Sequence, residues 1–205
     1  MIKAVIFDLD GTITKPFFDF EAIRKEMGLG KEAGPILEAM EKMTAKQRKA
    51  AEKILHRYEQ EAVEKSSLNA DARRTLWALR RAGIKIGVLT RNKRQNVFAV
   101  ARKHNLRFDE VVDRDDGPVK PDGFGVTELC RRFDVKAKET LVVGDYLFDL
   151  LCARAAGAAA VLLANHHRAD EFAKYADFTI KKIGEVLNIA AGKAKKSKMQ
   201  KKKRR

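Results

Sequence analysis

The chain has 205 residues, enough for one well-packed domain with an insertion, and 45% of them are hydrophobic, which excludes wholesale disorder. No apolar run reaches the roughly 18 residues of a membrane span, and the N-terminal sequence has no secretory-signal pattern, so neither feature is expected. The formal net charge is +15, and residues 193–205 hold nine Lys or Arg and no acid, so most of the excess lies at the C-terminus.

Short apolar segments predict β-strands, with helical patterns between most of them. Strands are expected at 2–8, 84–90, 110–113, 140–144, 160–164 and 176–180. Helices are predicted at 70–82, 93–104, 123–133, 147–156 and about 182–191, the first with Asn69 as its N-cap and Gly83 at its end. This alternation favours an α/β parallel sheet covered by helices on both faces, in which ligands bind beyond the carboxyl ends of the strands.

Residues 14–68 interrupt this alternation with helical patterns alone. Helices are predicted at about 19–27, 34–43 and 45–65, the last with Thr44 as its N-cap. The sequence therefore predicts a core formed by residues 1–13 and 69–191 and a small helical insertion at 14–68. Residues 192–205 are lysine-rich and cannot bury a core, so a disordered basic tail is expected there.

Two aspartates follow the first predicted strand at the start of a glycine turn. Asp8 and Asp10 are two residues apart, so both carboxylates can face one pocket beyond the strand end. One carboxylate can attack phosphorus while the other moves a proton, which suits phosphoryl chemistry. Gly11 allows the backbone to approach an anion closely, and Thr12 can donate a hydroxyl hydrogen bond. An ordinary acidic turn is the alternative.

Two later segments supply candidate phosphate-binding groups. Thr90 ends the second core strand, where its hydroxyl can bond a phosphoryl oxygen or cap the following helix. Arg91 and Asn92 could contact the phosphate or the substrate, or could be solvated loop residues. Lys120, followed by Pro121, can neutralise an attacking carboxylate and the phosphoryl group, although a Lys-Pro pair alone is typical of a surface turn.

Two aspartates four residues apart follow the strand predicted at 140–144. Asp145, at the strand end, can complete a site for a hard cation together with Asp8. Asp149 can bind the metal through water or orient the lysine. Its alternative is an aspartate favoured by the dipole at a helix start.

These segments resemble, in order, the four motifs of the haloacid dehalogenase superfamily, most of whose members are phosphatases. The matching residues are Asp8-Leu9-Asp10-Gly11-Thr12, Thr90, Lys120-Pro121 and Gly144-Asp145 with Asp149. The resemblance covers about residues 1–190 and implies a Rossmann-like sheet flanked by helices. The insertion after the first motif resembles the helical caps of the phosphoglycolate phosphatase-like branch. Gly123 stands where related phosphatases often have proline, a departure expected to affect the helix start.

The resemblance implies a phosphatase that forms an aspartyl-phosphate. Asp8 attacks phosphorus, and Asp10 protonates the leaving oxygen and then deprotonates the hydrolytic water. Thr90 and Lys120 hold the phosphoryl oxygens. The implied substrate is a small phosphorylated metabolite, with phosphoglycolate as one candidate.

The resemblance also implies magnesium as the cofactor. The metal is expected to bridge Asp8, the backbone carbonyl of Asp10, and Asp145, with Asp149 as a further residue of the metal site. A dehalogenase is disfavoured because the metal aspartates and Asp10 suit phosphate chemistry.

Two alternative functions follow from other features. A phosphosugar mutase is one, because helical caps of this kind also occur in such mutases. The other is a nucleic-acid-associated or nuclear protein that uses the tail from Lys193 to Arg205 on a phosphatase fold, since clustered lysines bind phosphate backbones without sequence preference. The alternative is that these residues form a solvated tail with no binding function.

Several further residues carry expectations about compartment and substrate. Cys130 and Cys152 are predicted to be buried, reduced thiols, which fits the cytoplasm, whereas the basic tail permits the nucleus. The aromatic residues just after the first turn could line a substrate pocket or pack the cap on the core; they are Phe17, Phe18 and Phe20. His166 and His167 are interpreted as surface-loop residues.

Overall fold

A computed structural model describes residues 1–194 of the chain. The strands are β1 Ala4–Phe7, β2 Lys85–Leu89, β3 Glu110–Val112, β4 Thr140–Gly144, β5 Ala159–Leu163 and β6 Phe178–Ile180. They form one parallel sheet in the order β3-β2-β1-β4-β5-β6. The predicted α/β parallel sheet is confirmed.

Helices lie between the strands and after the last of them. They are α1 Phe20–Glu26, α2 Ile36–Glu41, α3 Ala45–Lys65, α4 Ala72–Arg81, α5 Arg94–His104, α6 Phe124–Phe133, α7 Leu147–Ala155, α8 Ala169–Phe172 and α9 Val186–Ala190. All residues of β1 and β4 are buried, as expected for central parallel strands covered on both faces. No helix within residues 1–194 has the length and apolar character needed to cross a membrane.

The strand order places a topological switch point between β1 and β4. The chain runs from β1 outward through β2 and β3, and then returns across the sheet to β4 on the other side of β1. Phe7 of β1 pairs with Val143 of β4, so the residues that follow these two strands emerge side by side. In open parallel sheets such a point is where ligands bind, since the connections diverge and leave a crevice.

The chain separates into two compact units. The core unit comprises Met1–Pro16 and the chain from Ser67, and the helical unit comprises Phe17–Ser66. The helical unit has its own small apolar cluster around Met40, Ala51 and Leu55. Thr44 caps α3 as predicted, because its hydroxyl accepts the N–H of Gln47 in a capping box.

The prediction that Asn69 is the N-cap of α4 is wrong. The helix begins two residues later, and Asp71 occupies the cap position with a φ of 64°. The side-chain amide of Asn69 instead donates to the carbonyls of Gly11, Thr12 and Thr14, at 2.9, 2.8 and 3.1 Å. The amide side chain of Asn69, whose oxygen could have accepted an N–H as a helix cap, instead uses its N–H group to hold the loop after β1.

Gly123 occupies the N-cap position of α6 without a side-chain cap. Asp122 replaces that cap, since its Oδ1 accepts the N–H of Phe124 at 2.7 Å. A Cβ on Gly123 would lie 3.1 Å from the backbone nitrogen of Ala156, at the end of α7. The glycine therefore permits close packing of α6 on α7. The sequence predicted that Gly123 would affect the helix start, and in the structure the capping group there comes from Asp122.

The predicted disordered tail at 192–205 lies mostly outside the described residues, from position 195 onward. Its first residues belong to the end of α9. Gly192 has a φ of 72°, and the N–H groups of Gly192 and Lys193 donate to the carbonyls of Ile189 and Asn188, both at 2.9 Å. These two residues complete a helix C-cap, and the expectation of a disordered tail stays a prediction.

Candidate active site

The site lies at the switch point, beyond the carboxyl ends of neighbouring strands. Asp8 follows β1, and its N–H donates to the carbonyl of Val143 at 2.9 Å, which extends the pairing with β4 by one residue. Asp145 follows β4 directly. Thr90 follows β2, and its N–H donates to the carbonyl of Val112 at 3.1 Å. The hydrogen bonds between the strands thus fix the backbone positions of three of the predicted site residues.

Lys120 joins two carboxylates from different segments. Its ammonium nitrogen lies 2.6 Å from Asp8 Oδ1 and 2.6 Å from Asp149 Oδ1. The side chain of Lys120 is only 5% exposed. Burial acts to lower the pKa of Lys120, but the carboxylates of Asp149 and Asp8 outweigh it and raise that pKa above its ordinary value. Lys120 is therefore a buried cation held between two acids, and not a surface-turn residue.

Three buried carboxylates lie close together at this site, and their combined negative charge is larger than the single positive charge of Lys120. Asp8, Asp145 and Asp149 each offer an oxygen, and these atoms all lie within 4.8 Å of one another. Burial raises the pKa of Asp8 well above its usual range, although Lys120 opposes the shift. Burial and then the charge of Asp149 raise the pKa of Asp145 to about 7. One ammonium does not neutralise three carboxylates, so the site takes up further positive charge either as protons, in keeping with the raised pKa values, or as a cation.

A divalent metal ion fits this donor set. Its atoms are hard carboxylate oxygens, which are the ligands that magnesium and calcium prefer. Asp8, Asp145 and Asp149 would hold the ion. The carboxylate of Asp10 does not belong to this group of three; the sequence-based expectation for Asp10 concerned its backbone carbonyl.

Asp10 is oriented by Asn92. The Asn92 amide donates to Asp10 Oδ2 at 3.1 Å. The amide oxygen of Asn92 accepts the Lys93 N–H at 2.8 Å and the Asn96 side-chain amide at 2.7 Å, which fixes its orientation. Asn92 was predicted to contact the phosphate or the substrate. In the structure Asn92 instead positions the carboxylate of Asp10, which the fold brings next to it.

Gly11 and Thr12 pack on Asp145. A Cβ on Gly11, whose φ is 97°, would lie 2.4 Å from Asp145 Oδ2. The hydroxyl of buried Thr12 donates to Asp145 Oδ1 at 2.8 Å. The sequence predicted that these two residues approach a bound anion. The anion they approach in the structure is the side chain of Asp145, and their contact holds that carboxylate in place.

Thr90 and Arg91 lie at the end of β2. The Thr90 hydroxyl oxygen accepts the N–H of Asn92 at 3.0 Å, as a cap of the following turn would. That bond uses a lone pair, so the O–H of Thr90 remains able to donate to a phosphoryl oxygen. The guanidinium of Arg91 donates to the carbonyl of Lys120 and lies 5.2 Å from the ring centroid of Phe148. Arg91 thereby supports the segment that carries Lys120.

Two positioning residues were missed by the sequence-based interpretation. Asn165 donates to the carbonyl of Gly11 at 2.7 Å, and Asn69 donates to the same carbonyl at 2.9 Å. A Cβ on Gly144 would lie 2.1 Å from Cγ of Asp149, so only glycine fits there. The sequence feature that could have identified Asn165 is its position just beyond the end of β5, at the edge of the sheet where the site lies. Gly144 lies inside the fourth motif, but its contact with Asp149 is tertiary.

The fold and the acidic loops at its switch point define a Rossmann-like α/β enzyme. Within that class the chain belongs to the haloacid dehalogenase-like hydrolase family, whose model matches residues 2–157.

Known proteins extend this similarity along most of the chain. A haloacid dehalogenase-like hydrolase domain-containing protein of Arabidopsis thaliana is 26% identical, with 92% of this chain and 83% of the relative covered. A phosphoglycolate phosphatase of Nitrosospira multiformis is 30% identical, with 76% of this chain and 80% of the relative covered. The crystal structure of a hydrolase from Pseudomonas syringae superposes with a TM-score of 0.79 at 20% identity, covering 94% of this chain and 99% of that one. This structural likeness supports the fold.

Proposed function

We propose that this protein is a magnesium-dependent phosphatase that hydrolyses a small phosphorylated metabolite through an aspartyl-phosphate on Asp8. The observation that carries the proposal is the bridge by Lys120, which lies 2.6 Å from both Asp8 and Asp149. A phosphate dianion repels a carboxylate nucleophile. A buried ammonium at this position reduces that repulsion, and it remains in place while charge develops on the phosphoryl group.

Asp8 and Asp10 divide the reaction between them. A carboxylate oxygen of Asp8 forms the bond to phosphorus as the bond to the leaving oxygen breaks, and Asp10 gives its proton to that oxygen. Asp10 then takes a proton from water, which attacks phosphorus and releases Asp8 and inorganic phosphate. Asn92 supports this role, since its 3.1 Å hydrogen bond orients the Asp10 carboxylate. Thr90 is proposed to donate its free O–H to a phosphoryl oxygen.

The metal site is proposed at Asp8, Asp145 and Asp149, together with the backbone carbonyl of Asp10. When bound, magnesium supplies Lewis-acid stabilisation of negative charge on the phosphoryl group. Thr12 supports the site because its hydroxyl fixes one oxygen of Asp145 at 2.8 Å. Asn69 and Asn165 support it indirectly, by holding the carbonyl of Gly11.

The helical unit is proposed to act as a cap that selects the substrate. Its first residues form an aromatic group, with ring centroids 6.3 Å apart for Phe17 and Phe18 and 5.6 Å apart for Phe18 and Phe20. Phosphoglycolate is the first substrate to test, because relatives such as that of Nitrosospira multiformis are named phosphoglycolate phosphatases. We propose the cytoplasm as the compartment, in keeping with the free, buried Cys130 and Cys152. The comparisons lend no support to the nuclear alternative.

The test is release of inorganic phosphate from a panel of phosphate esters, with magnesium or with a chelator. The panel includes 2-phosphoglycolate, sugar phosphates and nucleoside monophosphates. The expected result is magnesium-dependent release by the wild type and none above background by Asp8→Asn. Asp134→Asn is the matched control, because it makes the same change at an exposed helix end whose left-handed backbone asparagine also tolerates.

Two outcomes would contradict the proposal. Turnover by Asp8→Asn equal to the wild type would remove Asp8 as the nucleophile. Conversion of a sugar phosphate to its isomer without phosphate release would establish the mutase alternative instead.

A further inference from the structure

A long internal segment of the chain is basic throughout. Residues 72–108 contain eleven Lys or Arg and no Asp or Glu. This segment includes α4, β2 and α5, so its charge belongs to the folded core unit and is distinct from that of the C-terminal tail. A solvated helix face ordinarily mixes both signs of charge, and the absence of acids over this length is therefore a feature of its own.

A cleft of about 600 Å³ lies where α4, α5 and the loop after α5 meet. Its lining includes Arg80, Arg102 and Arg107. Arg80 is paired with Asp109 at 2.8 Å. Within residues 1–194, the side chains of Arg102 and Arg107 make no hydrogen bond or ion pair. The cleft therefore presents uncompensated positive charge.

Two exposed aromatic side chains accompany this charge. Phe98, which is 44% exposed, lines the cleft from α5. Trp77 on α4 is 58% exposed, and the guanidinium of Arg81 lies 4.6 Å from its ring centroid. Exposed apolar groups that are rimmed by polar or charged residues are typical of interaction sites.

Contacts on either side of Trp77 place it beside the same cleft. Arg73, four residues earlier, donates to the carbonyl of His104 at 3.0 Å. Arg80, three residues later, donates to the carbonyl of Arg107 at 3.2 Å. Residues spaced by three and four share one side of a helix, so Trp77 lies on the side of α4 that faces the end of α5.

We propose that this surface binds single-stranded nucleic acid, as a function additional to the phosphatase proposed above. We call it the α4–α5 basic cleft and define it by Trp77, Arg81, Phe98, Arg102 and Arg107. The guanidinium groups would neutralise backbone phosphates, and the two rings would stack on bases. A single strand is favoured over a duplex, because a duplex hides the base faces and would leave both rings unused.

The test is a binding titration of the full chain with unlabelled 12-nucleotide strands of RNA and of DNA, and with a duplex of the same sequence. The strands carry no terminal phosphate, so the cleft is measured apart from any hydrolysis. Trp77 is the chain's only tryptophan, so stacking on it is expected to quench the intrinsic fluorescence. Both single strands are expected to quench it, and the duplex is expected to quench it less.

Variants separate stacking from charge, with binding then followed by anisotropy of labelled strands. Trp77→Ala is expected to weaken single-strand binding about 5- to 100-fold, and Trp77→Phe is expected to restore most of the loss. The double variant Arg102→Ala/Arg107→Ala is expected to lower the slope of log K against log salt by about 1.4. The control Lys138→Ala/Lys174→Ala removes the same charge from exposed positions outside residues 72–108, and its binding is expected to match the wild type.

Three results would overturn the proposal. The first is absent quenching, or affinity unchanged in Trp77→Ala. The second is equal weakening by the Lys138→Ala/Lys174→Ala control, which would indicate attraction by net charge alone. The third is duplex binding as tight as single-strand binding. Asp8→Asn is expected to retain strand binding, so failure of the phosphatase proposal and failure of this one are distinguishable.

Discussion

Asn92 and Asp10, which are 82 positions apart in the chain, meet through a 3.1 Å hydrogen bond from amide to carboxylate. Asn92 cannot turn away from this contact without loss, because Lys93 and Asn96 both donate to its amide oxygen. The start of α5 therefore holds the orientation of the carboxylate that we propose as the proton carrier. This arrangement makes Asn92 a positioning residue.

The first prediction concerns this contact. In Asn92→Ala the Asp10 carboxylate loses the hydrogen bond from Asn92 and is oriented less precisely, so kcat is expected to fall about 10- to 100-fold with little change in KM. Asn188→Ala, at an exposed position of α9, is the control and is expected to keep wild-type kinetics. The measurement is steady-state phosphate release by both variants at a temperature where each is folded. A rise in KM at constant kcat would assign Asn92 to substrate binding instead, as the sequence suggested.

The second prediction concerns Gly144. An added Cβ would lie 2.1 Å from Cγ of Asp149, inside contact distance, so either the strand end or Asp149 must move. Gly144→Ala is expected to lose most of its activity and about 1–3 kcal/mol of unfolding free energy. Gly184→Ala is the control, since the atom nearest its added Cβ, Oγ1 of Thr75, lies at an ordinary 3.6 Å. Denaturant unfolding and turnover are measured for both, and equal stability of the two variants would contradict the argument.

The sequence predicted the fold well because its signals are local. Apolar runs mark the buried parallel strands, glycines mark helix ends, and Thr44 with Gln47 forms a capping box three residues apart. Each such signal lies within a few residues of the structure that it specifies. The switch point followed in turn, since strand ends in a parallel sheet share one edge.

The partners of polar side chains could not be predicted in the same way. Thr12 could donate to a phosphate or to any nearby acceptor, and only the tertiary structure shows that Asp145, 133 positions away, takes the bond. Asn69 likewise has the sequence context of an N-cap, yet it holds three carbonyls of the loop after β1. The sequence shows which hydrogen bonds such a side chain is able to make, whereas the packing of distant segments determines which partner it bonds.

The third prediction concerns the buried pair of Lys120 with Asp8 and Asp149. Lys120→Met leaves two buried carboxylates without their cation, so we expect a loss of activity and of about 3–5 kcal/mol of unfolding free energy. Adding Asp149→Asn to Lys120→Met removes one of those charges and is expected to recover part of the stability but no activity. Arg57→Met breaks the exposed pair of Arg57 with Glu26 and is expected to cost far less stability than Lys120→Met, because solvent screens the exposed charges. Chemical denaturation of the three variants tests this, and equal costs for the buried and exposed pairs would refute it.

The fourth prediction concerns pH and metal removal at Asp145, whose pKa in the folded protein is raised to about 7. Between about pH 4 and pH 7 the folded state keeps a proton that the unfolded state has released. Unfolding therefore releases a proton in this window, and the stability of metal-free protein falls as pH rises through it. The raised pKa of Asp8 acts in the same direction. The loss attributable to Asp145 is at most about 4 kcal/mol.

Melting temperatures between pH 4.5 and pH 7.5, with a chelator or with saturating magnesium, test this prediction. With the chelator, the wild type is expected to melt several degrees lower at pH 7.5 than at pH 4.5. Magnesium is expected to raise the melting temperature mainly at pH 7.5, because binding requires ionised carboxylates. Asp145→Asn keeps an oxygen that can accept from Thr12 but removes the charge, so it is expected to flatten the pH dependence and weaken the response to magnesium. If Asp145→Asn showed the same pH slope as Asp134→Asn, ionisation of Asp145 in its buried site would not be what lowers the stability of the metal-free protein.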